Sequence, residues 1–343
     1  MNIVQSTNDF LQIVSPVFQK KVHKLLGFGF KALSLQRIVS LSSNARSILD
    51  NRHTAESKIF RLTNTQRFLK QFPDLIAHLG LVKDGDSVAV DFSDFGGFWV
   101  LMFAKRTNQG RALPLYFEIL EKHEAKGFQN TFIIQTIDHF FNLIAPLKVS
   151  LVFDRGFACP SIIKDLAFKQ RLFYIRIKSI KQVNYKRKTV KAKEFSQGVY
   201  PVKAYDDLQL SLTVTARPPD KGGKQQEPWY IISNDLWSTE KTITDIYYHR
   251  FEIEEFFKDA KRMFGLEYIK FKKVNSLRVI LWFVMLGFWL QNYFLQVAKR
   301  ETKDDLIKKC KDSFNQSFTH YWLERIKLAL ILPGLNQIFI PSD

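Results

Sequence analysis

The spacing of apolar and polar residues changes character near residue 80. Up to that point apolar positions recur at helical intervals with few strand signals, and the segments SLQRIVSLSSNARSILD and AESKIFRLTNTQRFLKQF predict two amphipathic helices. The second presents Lys58, Arg61 and Arg67, a pattern that suits either a solvated face or one turned to a polyanion. From Asp86 the apolar residues fall into short β-rich runs, SVAVDFSDF, GFWVLMFAK and ALPLYFEIL, separated by turn-prone Gly, Asn and Gln. These predict a three-stranded meander. An amphipathic helix (NTFIIQTIDHFFNLIA), a strand (KVSLVFDRGF), a helix beginning after Pro160 and a further strand (LFYIRIK) follow.

The order β-β-β-α-β-α-β is the opening of a ribonuclease-H-like fold, in which acidic residues from separate strands and a later helix are brought together. A fold alone does not establish function. Residues 181–240 break the alternation with a basic run, KQVNYKRKTVKAK, and strand-like segments LQLSLTVTA and WYIISND around the loop RPPDKGGKQQEP. This reads as a β-rich insertion. A polar-faced helix from about Thr242 to Phe264, an apolar helix and a helical segment through Leu332 complete the chain. The expected class is α/β, a ribonuclease-H-like catalytic core with a mixed sheet, interrupted by the insertion and flanked by helical regions. The expected divisions are an N-terminal helical DNA-binding region (1–80), the first part of the core (81–180), the insertion (181–240), the helix that returns to the core (241–275) and a C-terminal helical region (276–343).

Composition narrows the function. The 343 residues are 46% hydrophobic, enough for a sizeable core. With 51 Lys and Arg against 33 Asp and Glu, the net charge is +18. Such an excess points first to nucleic acid, where Lys and Arg contacts to phosphate supply most non-specific affinity. A membrane surface is the competing partner, but no long basic amphipathic helix flanked by Trp and Leu is present. The most apolar stretch, Val279 to Leu290, falls short of the roughly 20 residues of a spanning helix and reads as a buried helix. The N-terminal MNIVQSTNDFLQIVS lacks the features of a signal peptide, so a cytoplasmic location and no membrane partner are expected. Cys159 and Cys310 form no CxxC pair and no cluster with histidine, which argues against a disulfide framework or a zinc site.

Asp91 ends an apolar strand, where an aspartate commonly serves as a turn former. Asp154 stands in the same kind of place, directly after VSLVF and before Arg155 and Gly156. In a sheet of this topology the first and fourth strands are neighbours, so both carboxylates converge, and a convergent acidic pair attracts hard divalent cations. In DIYYHRFEIEEFFKDAKRMFG, Tyr247, Arg250, Glu254 and Lys261 are separated by three, four and seven residues. At about 100° per residue they fall within roughly 60° of one another. Glu252, Glu255 and Asp259 project away from this stripe toward the expected solvent side, and Ile253, Phe256, Phe257, Ala260 and Phe264 toward the buried side. Geometry thus singles out Glu254, although a Glu between Arg and Lys at these spacings also describes an ordinary salt-bridge ladder.

The whole pattern resembles the bacterial insertion-sequence transposases of the DDE type marked by a Y-x2-R-x3-E-x6-K signature, specifically insertion-sequence family four, the cut-and-paste group. The helix matches every position of that signature, and VAVDFSD, LVFDRGF and the β insertion between the second Asp and the Glu match as well. The likeness runs from about residue 55 to 290, beginning with the phrase SKIFRL. It implies that Asp91, Asp154 and Glu254 hold two Mg²⁺ ions, with Mn²⁺ able to substitute, for cleavage and strand transfer of DNA. It also implies that Tyr247 touches backbone phosphate while Arg250 and Lys261 clamp phosphate near the cleaved end. The implied partners are double-stranded DNA, as inverted-repeat element ends and target, and a second copy of the chain in a homodimer on that DNA. Trp229 stands where related enzymes keep a tryptophan that stacks on a flipped base, and core packing of a strand tryptophan is the alternative. Trp237 is a second candidate for that stacking, and Arg155 suits a phosphate contact or an ordinary surface arginine. A resolvase or nuclease of the same fold and a catalytically silent DNA-binding descendant are rival readings. The four-residue signature argues against the first and the intact acids against the second.

Overall fold

The computed structural model describes residues 9–10, 12–18, 57, 66–107, 111–217, 222–263, 266 and 273–297. The two expected N-terminal helices lie mostly outside these residues, as do Lys58, Arg61, Cys310, Phe264 and the final segment; helix α1 (Gln66–Gln71) is the described end of the second helix. A short helix α2 (Asp74–His78) leads into the sheet.

The meander forms as its alternation predicts. β1 (Ser87–Phe95), β2 (Phe98–Lys105) and β3 (Leu113–Glu121) pair antiparallel in sequence order. The β1–β2 turn joins Phe95 to Phe98 through Gly96 and Gly97, and Gly96 adopts φ +71°, a conformation that favours glycine in a two-residue hairpin. Helix α3 (Gln129–Ile144) crosses to β4 (Ser150–Phe153), which pairs parallel with β1. Helix α4 (Pro160–Phe168), with proline at its first position, returns the chain to β5 (Leu172–Arg176), parallel to β4. The strand order β3-β2-β1-β4-β5 is the ribonuclease-H-like core.

The insertion is not a separate layer. Its strands β6 (Gln182–Tyr185), β7 (Lys188–Lys191), β8 (Gly198–Ala204), β9 (Leu208–Thr215) and β10 (Trp229–Ser233) extend the core sheet to ten strands, continuing β5-β10-β9-β8-β6-β7. The join is the antiparallel pair of β10 with β5, in which Ile231 faces Arg176 and Ser233 faces Tyr174.

Register decides which residues share a face. Ala89 and Asp91 on β1, Val152 on β4, Tyr174 on β5 and Ile231 and Trp229 on β10 look to one side. Helices α5 (Glu240–Tyr248), α6 (Glu252–Met263) and α7 (Val274–Val297) cover that side, and α3 and α4 the other. Phe103, Tyr116 and Phe140 stack between sheet and α3, with ring centroids of Phe103 and Phe140 4.6 Å apart. Helix α7 is longer than the apolar run Val279–Leu290 suggests. Its Val274–Tyr293 stretch is long and apolar enough by length and composition to cross a membrane, yet most of it is buried inside the protein. Trp282 packs on Phe117 with centroids 4.8 Å apart, and the Trp289 indole N–H donates to the Pro114 carbonyl at 2.6 Å.

Candidate active site

Parallel pairing of β1 with β4 places Val90 opposite Phe153, so Asp91 and Asp154 leave neighbouring strands at the same level. Asp91 lies inside β1, and its Oδ1 accepts from the Phe92 backbone N–H at 2.8 Å. Asp154 follows β4 in extended conformation and precedes a 3₁₀ turn at Arg155–Phe157. Asp94 looks to the opposite face of β1, is exposed, and pairs with Lys122 at 2.6 Å. It stands apart from the acidic pair.

The expected continuous helix is broken. Helix α5 begins on Thr239, whose hydroxyl accepts from the Thr242 N–H at 3.3 Å, and ends at Tyr248; a 3₁₀ turn, His249–Phe251, separates it from α6. A 3₁₀ turn advances about 120° per residue, so three residues of it shift the phase of everything beyond by roughly 60°. The stripe is therefore not one exposed row. Tyr247 is fully buried against Trp229 and Tyr174, Arg250 is 4% exposed, and the Glu254 side chain is 52% exposed.

Arg250 joins the parts. Its Nη1 donates to Asp91 Oδ2 at 3.3 Å and its Nη2 to Glu254 Oε1 at 2.6 Å. The sequence-based expectation gives Arg250 to phosphate; in the structure its guanidinium spans two carboxylates, because a buried cation is stable only where anions meet it. Lys261 sits with Nζ 5.1 Å from the centre of the Phe95 ring, over the end of β1. Arg155 is exposed beside Asp154.

Burial pushes the Asp91 carboxyl up to about 6, with the charges of Glu254 and Asp154 adding to the rise and Arg250 and the Phe92 N–H opposing it. All three acids thus share one electrostatic field. Between the ordinary carboxylate pKa of about 3.9 and the folded value, the folded protein keeps a proton that the unfolded chain has lost. The stability this group contributes is therefore present below about pH 4 and is lost as pH rises through about 6. Urea unfolding of metal-free protein should show wild type losing up to about 3 kcal/mol over that window relative to Asp91→Asn. Parallel curves for the two proteins would remove Asp91 from a strained acidic site.

Three oxygen-only ligands suit a hard divalent ion. Among the described residues no three of His, Cys, Asp and Glu stand close enough to hold one ion together, and Arg250 supplies positive charge between Asp91 and Glu254. The donor chemistry fits Mg²⁺ or Mn²⁺. Burial, more than the neighbouring acids, penalises the Asp91 carboxylate, and a divalent ion bound there would offset that penalty.

The side of α6 expected to face solvent is covered at Glu252 and Asp259, while the Glu255 side chain stays 40% exposed. Asp259 is buried and accepts from Arg111 Nε at 2.7 Å, and Glu252 accepts from the Thr107 N–H at 3.3 Å and meets His249 Nδ1 at 2.7 Å. The β2–β3 connection thus clasps α6, which no local periodicity reveals. Arg176 and Arg217 also carry no signal in the sequence pattern. Arg217 lies over the Trp229 ring at 5.3 Å, and burial with the neighbouring Arg176 lowers its pKa. Only the strand register brings them beside Tyr247.

Trp229 is 2% exposed and stacks on Phe251 with centroids 5.6 Å apart, which answers to core packing rather than to an open platform for a base. Trp237 is 93% exposed but lies past the far end of β10 from Trp229. Trp229→Ala should cost about 3–5 kcal/mol of stability, and Trp237→Ala no more than about 0.5 kcal/mol. Denaturant midpoints in which Trp229→Ala matches wild type would restore the stacking role.

The ribonuclease-H-like core thus brings Asp91 and Asp154 from neighbouring strands to one level and joins Asp91 to the helix-borne Glu254 through Arg250. The family described as transposase DDE domain matches residues 112–290, just over half of the chain's 343 residues, and the chain belongs to that family. The matched stretch contains Asp154 and Glu254 and begins after Asp91. No curated protein sequence matches the chain. A solved structure titled "Cryo-EM structure of piggyBac transposase synaptic complex with hairpin DNA" is similar at a TM-score of 0.47 and 9% sequence identity, over 94% of this chain and 77% of that one. A likeness so distant carries nothing about chemistry.

Proposed function

We propose that this DDE-domain transposase cuts phosphodiester bonds at the ends of a mobile element and transfers the freed 3′-hydroxyls to target DNA, in the manner of insertion-sequence family four. The observation that carries the reading is the Asp91–Arg250–Glu254 constellation, joined through the buried Arg250, with Asp154 directly after the adjacent parallel strand. Asp91, Asp154 and Glu254 would hold two Mg²⁺ ions, which supply activation of an attacking oxygen and stabilisation of a leaving one. Water attacks first, freeing a 3′-hydroxyl on one strand; that hydroxyl then attacks a second phosphodiester, forming one bond as another breaks, with no covalent protein intermediate.

The chain's own residues set the stage for both steps. Arg250 holds Asp91 and Glu254 in register from a position solvent does not reach. Lys261, over the Phe95 ring at the end of β1, and Arg155, next to Asp154 in the chain, would meet phosphate. Arg250 lies over the Tyr247 and Phe251 rings, on which Trp229 packs in turn. The net charge of +18 suits double-stranded DNA as partner, and joining two element ends calls for a homodimer working in the cytoplasm, away from membrane.

The test is incubation of purified protein with labelled duplex carrying the element's ends and a plasmid target, with Mg²⁺ or with chelator. Nicked and joined products only in Mg²⁺ support the reading. Nicking without joining assigns the chain to the nuclease rival.

A further inference from the structure

The β6–β7 hairpin carries a concentration of charge that the site around Asp91 does not use. Residues 178–203 contain eight Lys or Arg and one acid, a net +7 of the chain's +18 within 26 residues. None of the eight forms an ion pair with a described residue. Lys181 and Lys186 rest their ammonium groups on the Tyr205 and Tyr185 rings instead, at 4.2 and 5.1 Å. Pairing of Asn184 with both Thr189 and Lys203 puts Lys191 and Lys203 on one polar face of the hairpin, while Val183 is buried on the other.

The turn itself is the second observation. Lys186 and Arg187 are its two central residues, at φ +47° and +64°. Such a two-residue turn favours Asn-Gly, and a long side chain there is held in a sparsely populated conformation. Strain of this kind persists where the residue serves something other than the turn. Lysines on an edge strand also discourage sheet-to-sheet pairing, but that purpose concerns β7, not the turn.

We propose that the Lys186–Arg187 turn, with Lys191 and Lys203, is a second duplex-DNA contact that grips backbone phosphates away from the bond being cut. β1 and β7 are third and tenth in the strand order, seven steps apart. At about 4.8 Å per step the hairpin lies on the order of 30 Å from Asp91, close to one turn of B-DNA, about 34–36 Å. The hairpin therefore acts in binding and not in chemistry. This rests on the reading of the chain as a DNA transposase.

The test is Lys186→Asn with Arg187→Gly, which removes two cations and installs the residues the turn prefers, so folding is preserved. Binding to a 30-base-pair duplex is followed by fluorescence anisotropy across a salt series. The slope of log affinity against log salt should flatten by about 1.8, at about 0.9 for each phosphate that is no longer neutralised. Mg²⁺-dependent nicking should show a raised KM and an unchanged kcat. The pair Lys191→Gln and Lys203→Gln should behave in the same way. A slope and KM equal to wild type in both variants overturns the proposal. A wild-type protein without salt-dependent duplex binding overturns the DNA reading itself, and the two failures are distinct.

Discussion

Asp91→Asn and Asp154→Asn are each expected to slow Mg²⁺-dependent nicking by at least about 100-fold while leaving duplex binding nearly intact. Each change removes a ligand from an ion whose stabilisation of the transition state is worth several kcal/mol, and every 1.36 kcal/mol is tenfold in rate. The charge that binds DNA resides in Lys and Arg and is untouched. Asp94→Asn is the matched control. Its carboxylate is exposed, looks to the other face of β1 and pairs with Lys122, so nicking should stay near wild type. Nicking by Asp91→Asn equal to that of Asp94→Asn would remove Asp91 from the site.

The second large effect separates two adjacent glutamates. Glu254→Gln should abolish both cleavage and strand transfer, because it removes a proposed metal ligand that Arg250 ties to Asp91 through contacts of 2.6 and 3.3 Å. Glu255 instead meets Lys258 at 3.3 Å and Arg111 at 3.7 Å with its side chain 40% exposed. An exposed pair of this kind is worth no more than about 1 kcal/mol, so Glu255→Gln should keep its cleavage rate. The salt-bridge ladder makes the opposite forecast: Glu254→Gln would lower the melting temperature slightly and still cut DNA in Mg²⁺. Cleavage rates and melting curves of both variants decide between them.

Much of the fold is legible in the sequence because its signals are local. Alternation in SVAVDFSDF, GFWVLMFAK and ALPLYFEIL defines β1 to β3, and the β-β-β-α-β-α-β order brings β1 beside β4 without reference to any long-range contact. The insertion's strands are equally legible. Their fusion with the core is not, since the β10–β5 pairing joins residues more than fifty positions apart and periodicity carries no register between distant strands.

Within the candidate site, the local pair is legible and the long-range contact is not. Periodicity places Arg250 and Glu254 four residues apart, and the pair forms. It does not show that a 3₁₀ turn at His249–Phe251 rotates Tyr247 into the core, or that Arg250 turns inward to Asp91, 159 positions away. The expectation of a solvated face at Glu252 and Asp259 fails for a similar reason. The polar pattern is present, but the β2–β3 connection supplies Thr107 and Arg111 as its partners.

Asp154→Cys tests most directly whether these acids hold the metal that cuts DNA. A thiolate is a soft ligand that binds Mg²⁺ poorly and Mn²⁺ better. Nicking by this variant should vanish in Mg²⁺ and return in part in Mn²⁺, while wild type works in both. Full activity of Asp154→Cys in Mg²⁺, or nicking by the wild type in chelator, would contradict a metal held by Asp154 and its neighbours Asp91 and Glu254.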